Sequence, residues 1–78
     1  MITSPVKSPL AIAVRFDGEM LYVRLADGRE VGAPLAWFPR LEKASREDRM
    51  HYRFIGQGEG IHWDAIDEDI SVEALLGV

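Results

Sequence analysis

From Leu10 the chain alternates: Leu10, Ile12, Val14 and Phe16 fall on one side, and Ala11, Ala13 and Arg15 on the other. A period of two is the signature of a half-buried strand. Asp17-Gly18 follows, a dipeptide suited to the positive φ angles of a tight hairpin turn. Met20 to Leu25 then places Leu21, Val23 and Leu25 on one face, and Asp27-Gly28 supplies a second hairpin signal before Arg29 to Ala33. Two such turns between alternating segments predict a three-stranded antiparallel meander.

Pro34 ends this regular pattern. Pro39 suits a first helical position, where its missing N–H is not needed, and a helix is expected over Pro39 to Ala44. Ser45-Arg46-Glu47-Asp48 loosely matches a capping box, so a further helical turn is expected from Arg46 to His51. Tyr52 to Ile55 and Gly60 to Trp63 are aromatic or β-branched and read as two further strands, joined by the flexible Gly56-Gln57-Gly58-Glu59. Ser71 is placed to cap a final helix through Glu73 and Leu76, with Ile70 stapling against Leu75 and Gly77 closing its C-terminus. The expected fold class is α+β: a three-stranded antiparallel meander, a short helical segment, two further strands and a C-terminal helix packed on the sheet.

Composition narrows this picture. The 78 residues allow one core, read as a flexible N-terminal lead-in over residues 1–9 and a single α+β domain over residues 10–78. A chain this short buries only about 60% of its unfolded surface. Cysteine is absent, which excludes disulfides and thiolate metal sites, so an efficient core or a homo-oligomer must supply the stability. The opening MITSPVKSPLAIAVRF holds an apolar run shorter than the about 20 residues that span a membrane, and no cleavage pattern follows it. The expectation is a cytoplasmic protein without membrane association.

Charge is unevenly placed. Residues 1–53 carry nine basic and seven acidic side chains, whereas residues 54–78 carry six acids and no base. A polyanion is repelled by the second part. Arg40, Lys43, Arg46, Arg49 and Arg53 form the one basic concentration, diluted by Glu42, Glu47 and Asp48. Mixed charge of this kind marks a solvated face with local ion pairs, and nucleic-acid binding by this domain alone is not expected.

The stretch GQGEGIHWDAIDEDIS holds the candidate chemistry. Gly56, Gly58 and Gly60 are spaced G-x-G-x-G, without the following helix and lysine that a phosphate loop uses, and Glu59 repels a phosphate. A turn between strands is the simpler reading. His62 with Asp64, Asp67, Glu68 and Asp69 would hold a divalent cation if the side chains converged. Acids ahead of a helix also compensate its dipole, and that reading is preferred. The serines sit in the lead-in or at caps, and none has the context of an activated nucleophile. No catalytic, cofactor or metal residue is assigned. Trp37, Phe38 and Trp63 either close the core or anchor a partner, since Trp and Arg dominate interface hot spots.

The order of motifs, DGREVGAPLAWFPRL, then ASREDR, then FIGQGEGIHWDAIDEDISVEALLG, resembles the small bacterial domain of unknown function 2442 family over residues 10–77. The segment from Gly58 through Ile70 is its most specific part. The resemblance implies the five-strand α+β reading and carries no catalytic residues. It also implies similarity to the N-terminal domain of longer helix-turn-helix proteins, and to proteins paired with a small neighbour of another uncharacterised family, as in toxin–antitoxin modules. The leading expectation is a non-catalytic protein-interaction module, the antitoxin-like or accessory half of a two-protein bacterial pair. Its partner is a small, toxin-like protein, and Trp37, Arg40, Arg49, His62 and Trp63 are the candidate interaction residues. The alternatives are a transcriptional regulator that binds nucleic acid as an oligomer, and a small metal-dependent enzyme using His62 and the acids after it.

Overall fold

A computed structural model describes residues 9–77. The lead-in expected over residues 1–9 lies outside the described residues except for Pro9. The first sheet contains β1 (Ala11–Asp17), β2 (Met20–Leu25) and β3 (Glu30–Pro34), antiparallel in that order. Both Asp-Gly hairpins form, and their glycines take the positive φ that such turns demand. Paired residues share a face, so Val14, Val23 and Val31 make one inward row and Phe16, Leu21 and Ala33 the next.

The expected alternation of β1 breaks at one point. Ala11 pairs with Leu25 and Ala13 with Arg24, so Ile12 is an extra residue in a β-bulge. The bulge turns Ala11 inward and leaves Ile12 54% exposed, the reverse of what the pattern predicts for both. A single inserted residue suffices, because a one-residue slip exchanges the faces of a strand.

A 3-10 turn (Leu35–Trp37) leads into α1 (Pro39–Lys43), and α2 (Arg46–Met50) follows after the Ser45 cap. The Ser45 hydroxyl accepts from the Asp48 N–H at 3.0 Å, as the loose capping box predicts. The second sheet contains β4 (Arg53–Ile55), β5 (Gly60–Trp63) and β6 (Glu68–Ser71), again antiparallel in order. α3 (Val72–Leu76) closes the chain, with the Ser71 hydroxyl accepting from the Ala74 N–H and Gly77 in the left-handed conformation at its end.

The α+β class and the order of elements agree with the sequence reading. The second sheet adds one strand to the two expected, because β6 forms where a polar approach to the last helix is predicted. Glu68 and Asp69 are poor strand formers. They are recruited because Ile70 pairs with Ile61 and points into the core, which brings its neighbours into register with β5. The reversal between β5 and β6 is made at Asp67, whose φ of 54° is the one positive value outside glycine among the described residues.

One core joins both sheets. Leu21, Val23 and Leu25 from the first meet Ile61, Trp63 and Ile70 from the second, with Leu35, Leu41 and Val72 filling the space between. Each such buried side chain contributes about 1.5–3 kcal/mol. The backbone also bridges the sheets: the Ala11 N–H donates to the Gly58 carbonyl at 2.8 Å. A Cβ on Gly58 would lie 2.6 Å from the Ala11 carbonyl oxygen, and its φ is +121°, so the turn docks on β1 only because this residue is glycine. Among the described residues no helix is long and apolar enough to cross a membrane.

Candidate functional site

Among the described residues Trp37 is the most exposed large apolar side chain, at 69%. Its mounting is rigid. Leu35, two residues earlier, is buried in the core, and its N–H donates to the Glu19 carbonyl. The Phe38 N–H donates back to the Leu35 carbonyl, and Pro39 starts α1 at once. The indole is therefore held out from a short turn whose two ends are fixed. Arg40, on α1, donates from Nη1 to the Asp67 carbonyl and so ties this region to the β5–β6 turn.

Arg49 is directed mainly inward. Its Nε and Nη2 donate to the carbonyls of Leu41 and Glu42, at 2.9 and 2.8 Å, near the end of α1. The same residue's backbone carbonyl accepts the Trp63 indole N–H at 3.0 Å. Trp63 itself is fully buried, with Tyr52 packed against its ring. Of the two readings of this tryptophan, the core reading holds, and its place among interaction residues is corrected. Its position on β5 points inward with Ile61 as its core neighbour, so no partner can reach it.

His62 alternates with Trp63 and lies on the outer face of the second sheet. Arg53, His62 and Asp69 are direct cross-strand neighbours on β4, β5 and β6. The Nδ1 of His62 meets the Asp69 carboxylate, while Nε2 lies 2.9 Å from Asp64 Oδ1. Arg53 in turn holds Asp64 through its Nε at 3.2 Å. The Asp69 hydrogen bond, with the charges of Asp69 and Asp64, raises the His62 pKa above its ordinary value, opposed by desolvation and, less, by Arg53. Arg53 and then His62 lower that of Asp64. A carboxylate at each ring nitrogen favours the doubly protonated imidazole, whereas a base or metal ligand must offer a free lone pair. Among the described residues no three His, Asp or Glu side chains converge as a metal site. The acids read as dipole compensation thus do something more specific: Asp64 and Asp69 bracket His62.

The glycine stretch is a hairpin turn, and its amides are already used. The N–H groups of Gly58 and Glu59 both donate to the Ile55 carbonyl, and the Gln57 N–H donates to Glu59 Oε1. The chain's own carboxylate stands where a phosphate would have to bind.

One arrangement on the first sheet is not foreseen in the sequence. Arg15 reaches across β2 to Glu30 with two hydrogen bonds of 3.0 and 3.1 Å, and its guanidinium lies 4.1 Å from the Tyr22 ring centroid. Tyr22 packs over Gly32, its cross-strand neighbour. The signal was available: Arg15, Tyr22 and Gly32 follow from counting outward from the two hairpin turns.

The chain matches the family model described as protein of unknown function (DUF2442) over residues 11–77. Its structure is similar to the crystal structure, at 2.75 Å resolution, of a protein of unknown function from Rhodospirillum rubrum ATCC 11170. The two share 30% sequence identity and a TM-score of 0.76, over 91% of this chain and 88% of that chain. No curated protein matches the chain. The match across nearly all of the folded residues decides the matter: this chain belongs to the DUF2442 family of proteins of unknown function.

Proposed function

We propose that this domain is a non-catalytic protein-interaction module that binds a small protein partner through the surface around Trp37. The observation that carries the reading is the indole itself, 69% exposed on a turn anchored at both ends. A large apolar side chain held in place loses little conformational freedom on binding, which is the usual property of an interface hot spot. Arg40 flanks it with a guanidinium that keeps donors beyond its bond to Asp67. The finer reading is the antitoxin-like or accessory half of a two-protein pair, with this surface covering the partner's working groove. The resemblance noted in the sequence supports it. A non-catalytic role is supported by His62, whose ring nitrogens both face carboxylates, and by Ser45 and Ser71, whose hydroxyls are engaged as caps.

A tagged pull-down from lysate of the source cells, at low and at moderate salt, tests this. The expected result is one small protein retained in stoichiometric amount at both salts. Trp37→Ala and Arg40→Ala should weaken that retention while the melting temperature stays near wild type. Unchanged affinity in both variants would sink the assignment of this surface. Nucleic acid retained only at low salt would favour the oligomeric regulator instead.

A further inference from the structure

A second surface has a different chemistry. Between β1 and α2 lies an open cleft of about 460 Å³, with Val14 and Phe16 on one wall and Met50 on the other. Arg15, Arg46 and Arg49 line it and no acidic residue does, although the Arg15 guanidinium itself is drawn across the sheet to Tyr22 and Glu30. Two of the three are held in place. Arg15 is fixed by Glu30, and Arg49 is fixed by the α1 carbonyls with its guanidinium 5.8 Å from the Phe16 ring centroid. Arg46 makes no hydrogen bond or ion pair among the described residues and is available to a ligand. Beside the cleft, β1 is an outer strand. Its N–H at Ala11 goes to Gly58, and from Val14 to Phe16 its backbone has no partner other than β2 among the described residues.

We infer that this cleft binds an extended acidic peptide segment, with a bulky apolar side chain entering between Phe16 and Met50 and flanking carboxylates meeting Arg46 and Arg49. The inference rests on the interaction-module reading and names the chemistry of what such a module recognises. Charge complementarity selects the occupant. The uncommitted Arg46 can pair with a carboxylate through two parallel hydrogen bonds, and the apolar walls reward a side chain that a fully hydrated anion lacks. The free edge of β1 adds main-chain hydrogen bonds, as in strand addition to a sheet. A nucleic acid fits less well. Its continuous phosphates would run on to Glu47 and Asp48 on α2, whereas a short peptide need not extend beyond the arginines.

The test is fluorescence anisotropy with a labelled short peptide, phenylalanine flanked on both sides by glutamates, against the intact chain. Saturable binding is expected, absent for the same peptide with lysine in place of glutamate. Arg46→Glu should weaken it about tenfold or more, since it reverses the one uncommitted charge. The first turn of a helix accepts glutamate well, so this variant should melt like wild type. Met50→Ala should weaken binding several-fold through the apolar wall. Trp37→Ala should leave it unchanged, which separates this site from the surface around the indole. Equal binding by wild type and Arg46→Glu overturns the inference, even if a lysate partner is still held through Trp37. So does a single-stranded oligonucleotide that binds the cleft more tightly than the peptide, or a dimer whose interface closes the cleft and is not displaced by peptide.

Discussion

The two sheets of this domain have the same number of strands and the same antiparallel order, yet they are specified in different ways. In the first, each strand carries its own alternation and each turn its own Asp-Gly, so pairing follows from neighbours in sequence. In the second, the strands are three or four residues long and owe their register to distant contacts. Trp63 is held by the Arg49 carbonyl, the β4–β5 turn docks on Ala11, and the Val72 N–H donates to Glu59. A sheet with local signals can form early and alone, whereas one built on long-range contacts waits for the core.

The sharpest way to break that contrast is Trp63→Ala. It removes the largest fully buried side chain and leaves the Arg49 carbonyl without its donor, at a cost of about 3–5 kcal/mol. Such a loss is a large fraction of the stability of so small a domain. Chemical denaturation should show one cooperative transition at much lower denaturant. If the first sheet instead persists after the second has melted, the two are less interdependent than the shared core implies.

Gly58→Ala attacks the joint between the sheets. The positive φ and the short approach to the Ala11 carbonyl should together cost about 1–3 kcal/mol. Amide hydrogen exchange at Ala11 should accelerate more than exchange at Val23, which lies in the centre of the meander. Ser71→Ala should cost about 1 kcal/mol by removing the cap of α3. Its effect should be seen first in the exchange of the Ala74 amide.

The smallest expected effect distinguishes the outer faces. His62 has a raised pKa, so its network stabilises the fold fully below the ordinary value of 6.5 and loses that contribution as pH rises through the higher folded value. Asp64 has a lowered pKa, so its contribution is present above 3.8 and is lost as pH falls through the lower folded value. Melting temperature should therefore decline as pH rises above 6.5 in wild type and decline less in His62→Gln. An identical pH profile in both would show that the row Arg53, His62, Asp69 adds nothing to stability. Arg15 and Glu30 on the first sheet offer no titration near neutrality, and the same scan should leave their contribution unchanged.

Much of the candidate surface could be read from residue types, but its orientation could not. Trp37 and Trp63 are both tryptophans beside turns, and only the burial of β5 from both the first sheet and α2 sends one inward and leaves the other out. Arg49 sits in a basic run, and its role is decided by carbonyls eight and seven residues away at the end of α1. Ile12 follows a clean alternation and is nevertheless exposed, because a bulge is a property of two paired strands and leaves no mark in either alone. β6 escaped notice for a related reason. Its sequence is acidic, and it becomes a strand only because β5 presents a free edge to it.

By itself, then, the sequence determined the meander, the caps at Ser45 and Ser71 and the glycine turn, since each depends on residues close enough to interact in any conformation. The tertiary structure alone decided the face of Ile12, the third strand of the second sheet, the bracketing of His62 and the opposite fates of the two tryptophans. Those outcomes depend on which surfaces compete for burial, and that competition exists only once the two sheets share a core.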